Sequence, residues 1–374
     1  MFVVGVIGGG QLARMLQPAA IALGIELRVF AETENSSAHQ AVTMVGDYNE
    51  YELISEFAQG LDALTFDHEH VPVELLGKLV TAGVPVRPGP HALVHAQNKL
   101  VMRRRLEELA LPQPKWAAAS SLEEVQKFID LNGSKIVVKT PIGGYDGKGV
   151  RVISAASEVS DWLEGLDDFG GELLLEEKVS FKREVAQLIA RRPSGELQSW
   201  PLVATLQEHS VCAQVISPAP GPANFELARQ IAAEVAVSLD VIGVMAVEMF
   251  ETESGQLLIN ELAMRPHNSG HFSIEGSETS QFEQHLRAIL DLPLGSTQAR
   301  DEYAVMINLL GVDDQNNFLP NYPIAMSQFP EVKFHNYEKA PRKGRKMGHL
   351  TILGSDLESL ISKGLACRDL LYKH

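Results

Sequence analysis

The alternation of strands and helices over residues 1–90 constrains this chain more than any other feature. An apolar run, Phe2–Ile7, ends at Gly8-Gly9-Gly10 and leads into Gln11–Leu23, where Leu12, Met15, Leu16, Ala19 and Leu23 recur at helical spacing. The pattern repeats with strands at Ile25–Phe30, Val42–Val45, Leu61–Phe66 and Val84–Val86, helices at Tyr51–Ala58 and Val73–Leu79, and a break at Pro88-Gly89-Pro90. Such alternation predicts a parallel sheet covered on both faces, with a ligand crevice beyond the C-terminal strand ends. The turn Gly8-Gly9-Gly10-Gln11-Leu12-Ala13 fits G-x-G-x-x-A, and Glu32 stands about where a ribose-binding acid would, so a nicotinamide-dependent oxidoreductase is one reading. Backbone amides at a helix N-terminus suit any phosphorylated ligand equally well, and a purely structural tight turn is the third reading. Asp67-His68-Glu69 follows the strand Leu61–Phe66, either as polar contacts to a substrate or as a loop capping the helix near Pro72.

At 374 residues the chain has room for two or three domains at roughly 150 residues each. Its formal charge is −16, the wrong sign for a global binder of nucleic acid or anionic membrane, so anions must be held by local basic clusters. No apolar run approaches the ~18 residues that span a bilayer, and Met1-Phe2-Val3-Val4-Gly5 has no charged leader, so no signal peptide is expected. Cys212 and Cys367 are too far apart for a metal or disulfide framework and read as reduced thiols of a cytoplasmic protein.

A second segment begins with a basic helix, Gln97–Leu109, carrying Lys99, Arg103, Arg104 and Arg105; the triple arginine reads as a solvated face. A helix, Leu122–Leu131, and a strand, Ile136–Lys139, follow. The strand delivers Lys139 to Gly143-Gly144-Tyr145-Asp146-Gly147-Lys148-Gly149, an amide-rich loop suited to phosphate, or else a simple hairpin turn. It is not a Walker A loop, because Ile142 occupies the first glycine position and Gly149 follows Lys148. Strand Glu172–Glu177 ends in acids that could accept from an adenine amino group or ribose hydroxyls, and a further run carries Glu184.

The most informative pair lies in two apolar strands, Val244–Phe250 and Gln256–Leu262, joined by the turn Glu251-Thr252-Glu253-Ser254-Gly255. Folding about that turn sets Glu248 opposite Asn260 or Glu261. Oxygen ligands with open positions suit Mg²⁺ bridging nucleotide phosphates, and opposed carboxylates in apolar surroundings call for a cation. Arg265-Pro266-His267-Asn268-Ser269-Gly270-His271 leaves that hairpin as a candidate substrate loop. Beyond Leu292-Pro293-Leu294-Gly295 the chain reads as strands Tyr303–Leu310, Val332–Phe334 and His349–Leu353. Between the last two, five of the eight residues 339–346 are basic, either a solvated loop or a positive patch for an anionic substrate.

Taken together, Gly8-Gly9-Gly10-Gln11-Leu12, the loop 143–149, Ile259-Asn260-Glu261-Leu262-Ala263 with Arg265 and His267-Asn268-Ser269-Gly270-His271, and Lys339, Arg342, Gly344-Arg345-Lys346, Gly348-His349 resemble the ATP-grasp enzymes, in particular the purine-pathway ligases that carboxylate aminoimidazole ribonucleotide. The resemblance covers nearly the whole chain. It implies a mixed α/β and α+β architecture: a Rossmann-like domain at 1–95, an ATP-grasp domain at 96–295 and a small β-rich C-terminal domain at 296–374. It implies that ATP and bicarbonate form carboxyphosphate, which carboxylates the ribonucleotide's exocyclic amine, and that the enzyme is a cytoplasmic homodimer handling small molecules, paired through its N-terminal domain. By matching positions, ATP would be held by Lys99, Lys139, Gly144, Tyr145, Asp146, Gly147, Lys148, Gly149, Val150, Glu176, Glu177, Lys178, Val179, Glu184, His209, Asn260 and Glu261, and Mg²⁺ by Glu248 and Glu261. The ribonucleotide and the bicarbonate-derived group would meet Gly9, Gly10, Gln11, Leu12, Glu69, Tyr145, Asp146, Arg265, His267, Asn268, Ser269, Lys339, Arg342, Arg345 and Lys346. Asp146, Lys148, Lys339 and Arg345 would act in the chemistry, with Asp146 the suggested base. Two departures stand out: Asp67-His68-Glu69 replaces an expected Glu-x-Glu, and Lys99 stands where arginine is also common. Another ATP-grasp ligase, formate-using or biotin-type, is the runner-up, and a non-catalytic relative is a third possibility.

Overall fold

The computed structural model describes residues 1–144, 149–208, 211–313 and 317–373. Its N-terminal sheet is wholly parallel, in the order Val42–Val45, Glu26–Ala31, Val3–Ile7, Ala63–Phe66, with helices Gln11–Leu23, Tyr51–Phe57 and Val73–Thr81 packed on it. The strand expected at Val84–Val86 does not form: only Val86 bridges Leu64, flanked by Pro85 and Pro88, which have no N–H to give a ladder.

The basic helix expected over Gln97–Leu109 forms as Lys99–Glu108, and a separate helix, Pro90–Gln97, which the pattern did not show, precedes it across Asn98. Asn98 leaves the helical region and accepts from the Leu100 and Val101 amides, so the second helix starts with Lys99 at its first position. A small antiparallel sheet follows, in the order Trp116–Ala119, Leu173–Glu177, Ile136–Lys139, Val150–Ile153, with Leu122–Asn132 against it.

The large sheet is continuous from the central segment into the C-terminal one. Its strands run Leu257–Ala263, Gly243–Thr252, Phe181–Arg191, Val203–Glu208, Val211–Ser217, Tyr303–Leu310, Lys346–Gly354, Lys333–Asn336, with Leu197–Ser199 pairing off the path. Val211–Ser217 and Tyr303–Leu310 pair antiparallel, so the sheet crosses residue 295 without interruption. One face of the C-terminal strands buries Ile307, Leu309, Leu350 and Ile352 with the helix Leu357–Leu371. No described helix is long and apolar enough to cross a membrane.

The three segments are tied by buried polar contacts. His285 accepts from the Val244 amide through Nδ1 (3.0 Å), so its proton sits on Nε2 and is given to Thr65 Oγ1 (2.8 Å) on the N-terminal sheet. Burial drives His285 from 6.5 down to about 3, and also pushes His271 and His349 well below the usual range. These groups stay neutral when folded but take up protons when unfolded below pH 6.5. Stability is therefore complete above 6.5 and declines as pH falls below it, for His285 on the order of 1 kcal/mol per pH unit down to about 3. Calorimetric melts at pH 7 and pH 5 are expected to show a clear fall in Tm; a flat profile would contradict the buried-neutral assignment.

Candidate active site

The hairpin register pairs Val247 with Leu262 and Glu248 with Glu261, then Met249 with Ile259, leaving Asn260 as the extra residue of a bulge. In a regular strand Asn260 and Glu261 would point to opposite faces. Here both meet lysines: Lys139 Nζ donates to Asn260 Oδ1 at 3.1 Å, and Lys99 Nζ lies 3.2 Å from Glu261 Oε1. Glu248 Oε1 is 3.0 Å from His267 Nε2. Burial alone would raise the Glu248 carboxyl, but His267 and, behind it, Lys346 and Arg265 hold it below the usual range. Glu248 thus has the His267 ring and Glu261 the Lys99 ammonium as protein partners, which the apolar strand pattern alone did not show.

Lys139 ends its strand 2.8 Å from Glu176 Oε2, and Glu176 also pairs with Arg103 at 2.7 Å. Glu176 is only 2% exposed. Burial pushes its carboxyl up, but the Lys139 ammonium and the Arg103 guanidinium more than reverse this and bring it to about 2. Two expectations change here. The Glu176 carboxylate, expected to meet adenine, is instead committed to Lys139 and Arg103. Arg103 is completely buried, whereas Arg104 and Arg105 are solvated. Arg103 lies four residues after Lys99, one turn along the same helix face, and that spacing was the available signal. Glu177 likewise spends its carboxylate on the Lys115 amide, 2.9 Å away.

Lys99 also donates to the Gly144 carbonyl (3.4 Å), bringing the stem of the glycine loop to the same place. The stem closes by a bond from the Thr140 amide to the Gly149 carbonyl (2.9 Å). Gly149 has φ +71°, and a Cβ there would strike Thr140 Oγ1, so glycine is required. Tyr145, Asp146, Gly147, Lys148 and His209 lie outside the described residues. Val150 opens the strand after the loop; Lys178 and Val179 follow Glu177 in a connecting turn. Glu184 is partly buried on the neighbouring strand; burial raises its carboxyl, a bond from Gln207 opposes this, and Glu248 adds to it.

The substrate loop is split between surface and interior. His267 Nδ1 meets Ser269 Oγ at 2.8 Å, and Arg265 lies 3.4 Å from Glu69 Oε2. Contrary to expectation, Asn268 and Ser269 are buried; the Asn268 amide is engaged with Asn308 in a reciprocal pair at 3.1 and 2.7 Å. Sequence reasoning also missed Gln281, whose amide clasps the His267 backbone from both sides (2.9 and 2.8 Å) and carries no motif signal. Glu69 Oε1 accepts from the Met264 amide (2.6 Å), so this acid positions the loop.

At the first glycine turn, the anion position at the helix start is already filled. Asp67 Oδ1 accepts from the Ala13 amide at 2.7 Å, and a Cβ on Gly10 would strike Asp67 Oδ2. A Cβ on Gly9 would meet Ala31 and Ser36. Gly9 and Gly10 therefore serve close packing, and Asp67 caps the helix after Gly10 across space. Glu32 lies 3.3 Å from His68 Nε2. With the Ala13 amide capped by Asp67 and Glu32 turned to His68, this turn departs from a dinucleotide-binding arrangement. Gln11, beside Leu12 at the helix start, instead reaches the C-terminal segment by accepting from Lys339 Nζ. Arg14 adds a bridge to Glu338 at 2.8 Å. Residues 340–346 are braced on Gly311, whose amide donates to Arg345 O and whose carbonyl accepts from the Gly344 amide (2.8 Å each). Arg345 Nη1 bonds Ala340 O at 3.0 Å, and Arg342 opposes its charge within the same loop.

Glu248 and Glu261, with the amide oxygen of Asn260, form a hard oxygen donor set. Among the described residues no three His, Cys, Asp or Glu side chains gather closely enough to hold a metal alone. That composition fits Mg²⁺, which is commonly held by one or two carboxylates plus substrate phosphates.

Residues 1–97 match the ribonucleotide synthetase preATP-grasp domain, 104–282 the ATP-grasp domain, and 304–363 the phosphoribosylaminoimidazole carboxylase C-terminal domain. The chain is 45% identical over 372 residues to the N5-carboxyaminoimidazole ribonucleotide synthase of Mycobacterium tuberculosis, covering 96% of this chain and 85% of that one. It is 45% identical over 368 residues to that of Corynebacterium ammoniagenes, covering 96% and 89%. The Aspergillus clavatus carboxyaminoimidazole ribonucleotide synthase complexed with ATP superposes with TM-score 0.89 at 32% identity, over 99% of this chain and 98% of that one. The same organism's N5-carboxyaminoimidazole synthase with ADP and aminoimidazole ribonucleotide gives 0.89 at 31%, over 99% and 98%.

Proposed function

This chain belongs to the N5-carboxyaminoimidazole ribonucleotide synthase family of ATP-grasp ligases, and on that premise we propose how its residues divide the ATP-dependent carboxylation of aminoimidazole ribonucleotide. The observation that carries the division is the convergence of Lys99, Lys139, Asn260 and Glu261 on the stem of the glycine loop, with Glu248 and His267 alongside.

Lys99 and Lys139 hold the ATP phosphates, the turn Glu177-Lys178-Val179 meets the adenine through its backbone, and Glu184 meets the ribose. Glu248 and Glu261 would hold Mg²⁺, which when bound would supply neutralisation of phosphate charge. Bicarbonate oxygen attacks the terminal phosphorus; the bond to ADP breaks, giving carboxyphosphate. The exocyclic amine of the ribonucleotide then attacks the carboxyl carbon, the carbon–oxygen bond to phosphate breaks with its electron pair on phosphate, and the amine gives up a proton. Arg265, Lys339, Arg345 and Lys346 supply positive charge for the ribonucleotide and the carboxyl group, with His267 as a polar contact and Arg342 at the rim. Gln11 orients Lys339. By motif position Asp146 takes the amine proton, and Tyr145 and Lys148 serve the ribonucleotide and the bicarbonate-derived group. Excluding water matters because carboxyphosphate hydrolyses readily. The protein acts as a cytoplasmic homodimer paired through its N-terminal domain.

Turnover with ¹⁸O-bicarbonate is expected to place one ¹⁸O in the released phosphate for each ribonucleotide carboxylated. Phosphate free of the label would rule out carboxyphosphate. Light scattering that gives a monomer at micromolar concentration would rule out the dimer.

A further inference from the structure

Arg103 is the largest fully buried side chain among the described residues. Its guanidinium serves three groups at once: Nε donates to Glu176 Oε1 at 2.7 Å, Nη1 to the Ile259 carbonyl at 2.8 Å, and Nη2 to the Asn260 carbonyl at 2.8 Å. Those two carbonyls sit at the bulge that turns Asn260 and Glu261 toward the lysines. A bulge interrupts the strand ladder, so its carbonyls need partners from elsewhere. The other face of Glu176 carries Lys139, and Lys139 in turn reaches Asn260 Oδ1. Arg103, Glu176, Lys139 and Asn260 therefore form a closed circuit joining the small sheet to the hairpin.

We propose that Arg103 is a positioning residue that locks the Asn260–Glu261 bulge to the carboxylate fixing Lys139, so that the metal-holding acid and the phosphate-holding lysine keep one mutual geometry. The inference rests on the nucleotide site proposed above. A planar fork of donors matches two carbonyls and a carboxylate together; a lysine ammonium can keep the charge on Glu176 but cannot span all three. The Arg103 guanidinium is committed to Glu176 and the Ile259 and Asn260 carbonyls, so its loss should act through Glu261 and Lys139 and leave the ribonucleotide side alone.

The test uses the full-length protein and calorimetric binding, with no turnover required. ADP is titrated at a series of Mg²⁺ concentrations, and aminoimidazole ribonucleotide is titrated separately. Arg103→Met is expected to weaken Mg-dependent ADP binding by about tenfold or more and to raise the Mg²⁺ concentration for half-maximal binding, as misplacement of binding groups by a fraction of an ångström would. Ribonucleotide affinity should stay within about twofold. Arg103→Lys, which keeps the buried charge, decides the matter if the methionine variant does not fold: it should fold and still require about threefold more Mg²⁺. A folded Arg103→Lys protein with Mg²⁺ and ADP titrations like those of the unmodified protein overturns the positioning role alone. Failure of the unmodified protein to bind ADP with Mg²⁺ overturns the nucleotide reading beneath it.

Discussion

Glu261→Ala is expected to lower ribonucleotide-dependent ADP formation by on the order of a thousandfold, the scale on which charge-stabilising groups act in phosphoryl transfer. Glu261 is paired with Glu248 across the hairpin and aimed at Lys99. Removing it takes one of two carboxylates from the metal position and leaves Lys99 without its acidic partner. The Glu261 side chain is 44% exposed, so folding should hardly change. Thermal melts like those of the unmodified protein, together with unchanged ribonucleotide binding, would place the loss in the phosphoryl-transfer step. Near-normal turnover in Glu261→Ala would remove this acid from the metal site.

Lys139→Met combines a comparable loss of activity with a loss of stability. Glu176 would remain almost wholly buried with Arg103 as its only cation, and breaking half of such a network costs about 3 kcal/mol or more. The sign of the pH effect follows from the pKa. Glu176 is held at about 2 instead of 4.5, so its stabilisation is complete above pH 4.5 and fades as pH falls toward 2. Without Lys139 the carboxyl protonates at higher pH, and acid unfolding should begin earlier. Adding Glu176→Gln takes the carboxylate away from the fully buried Arg103 guanidinium, so the double variant should be less stable than the single one and equally inactive; a double variant with the stability of the unmodified protein would contradict the network.

The fold was legible where periodicity is strong. Gln11–Leu23, Val42–Val45, Ile136–Lys139 and Tyr303–Leu310 stand where their patterns put them; the helix buries one face, whereas Tyr303–Leu310 is an apolar run buried on both. Val84–Val86 failed because proline removes ladder donors, and the helix expected from Gln97 starts at Lys99 because Asn98 is a better cap than an interior helix residue. Continuity of the large sheet across residue 295 depends on pairing between strands about 90 residues apart, which local pattern does not encode.

For the site, the turn geometry made the Glu248–Glu261 pairing readable, since two strands and a short turn leave few registers. The interior polar groups were hidden. A charged side chain reads as solvated unless its partners are known, and the partners of Arg103 come from residues 176, 259 and 260. Asn268 and Ser269 looked like substrate contacts because they sit in a polar loop, yet that loop folds inward onto Asn308. The first glycine turn looked open to phosphate because the sequence could not show that Asp67, more than 50 residues away, already occupies the helix start.

ADP release from Mg-ATP, followed by a coupled assay with and without aminoimidazole ribonucleotide in bicarbonate-controlled buffer, tests the central claim most directly. The account predicts turnover that needs the ribonucleotide and falls away when bicarbonate is stripped out. ADP release indifferent to the ribonucleotide, or undiminished without bicarbonate, would contradict it.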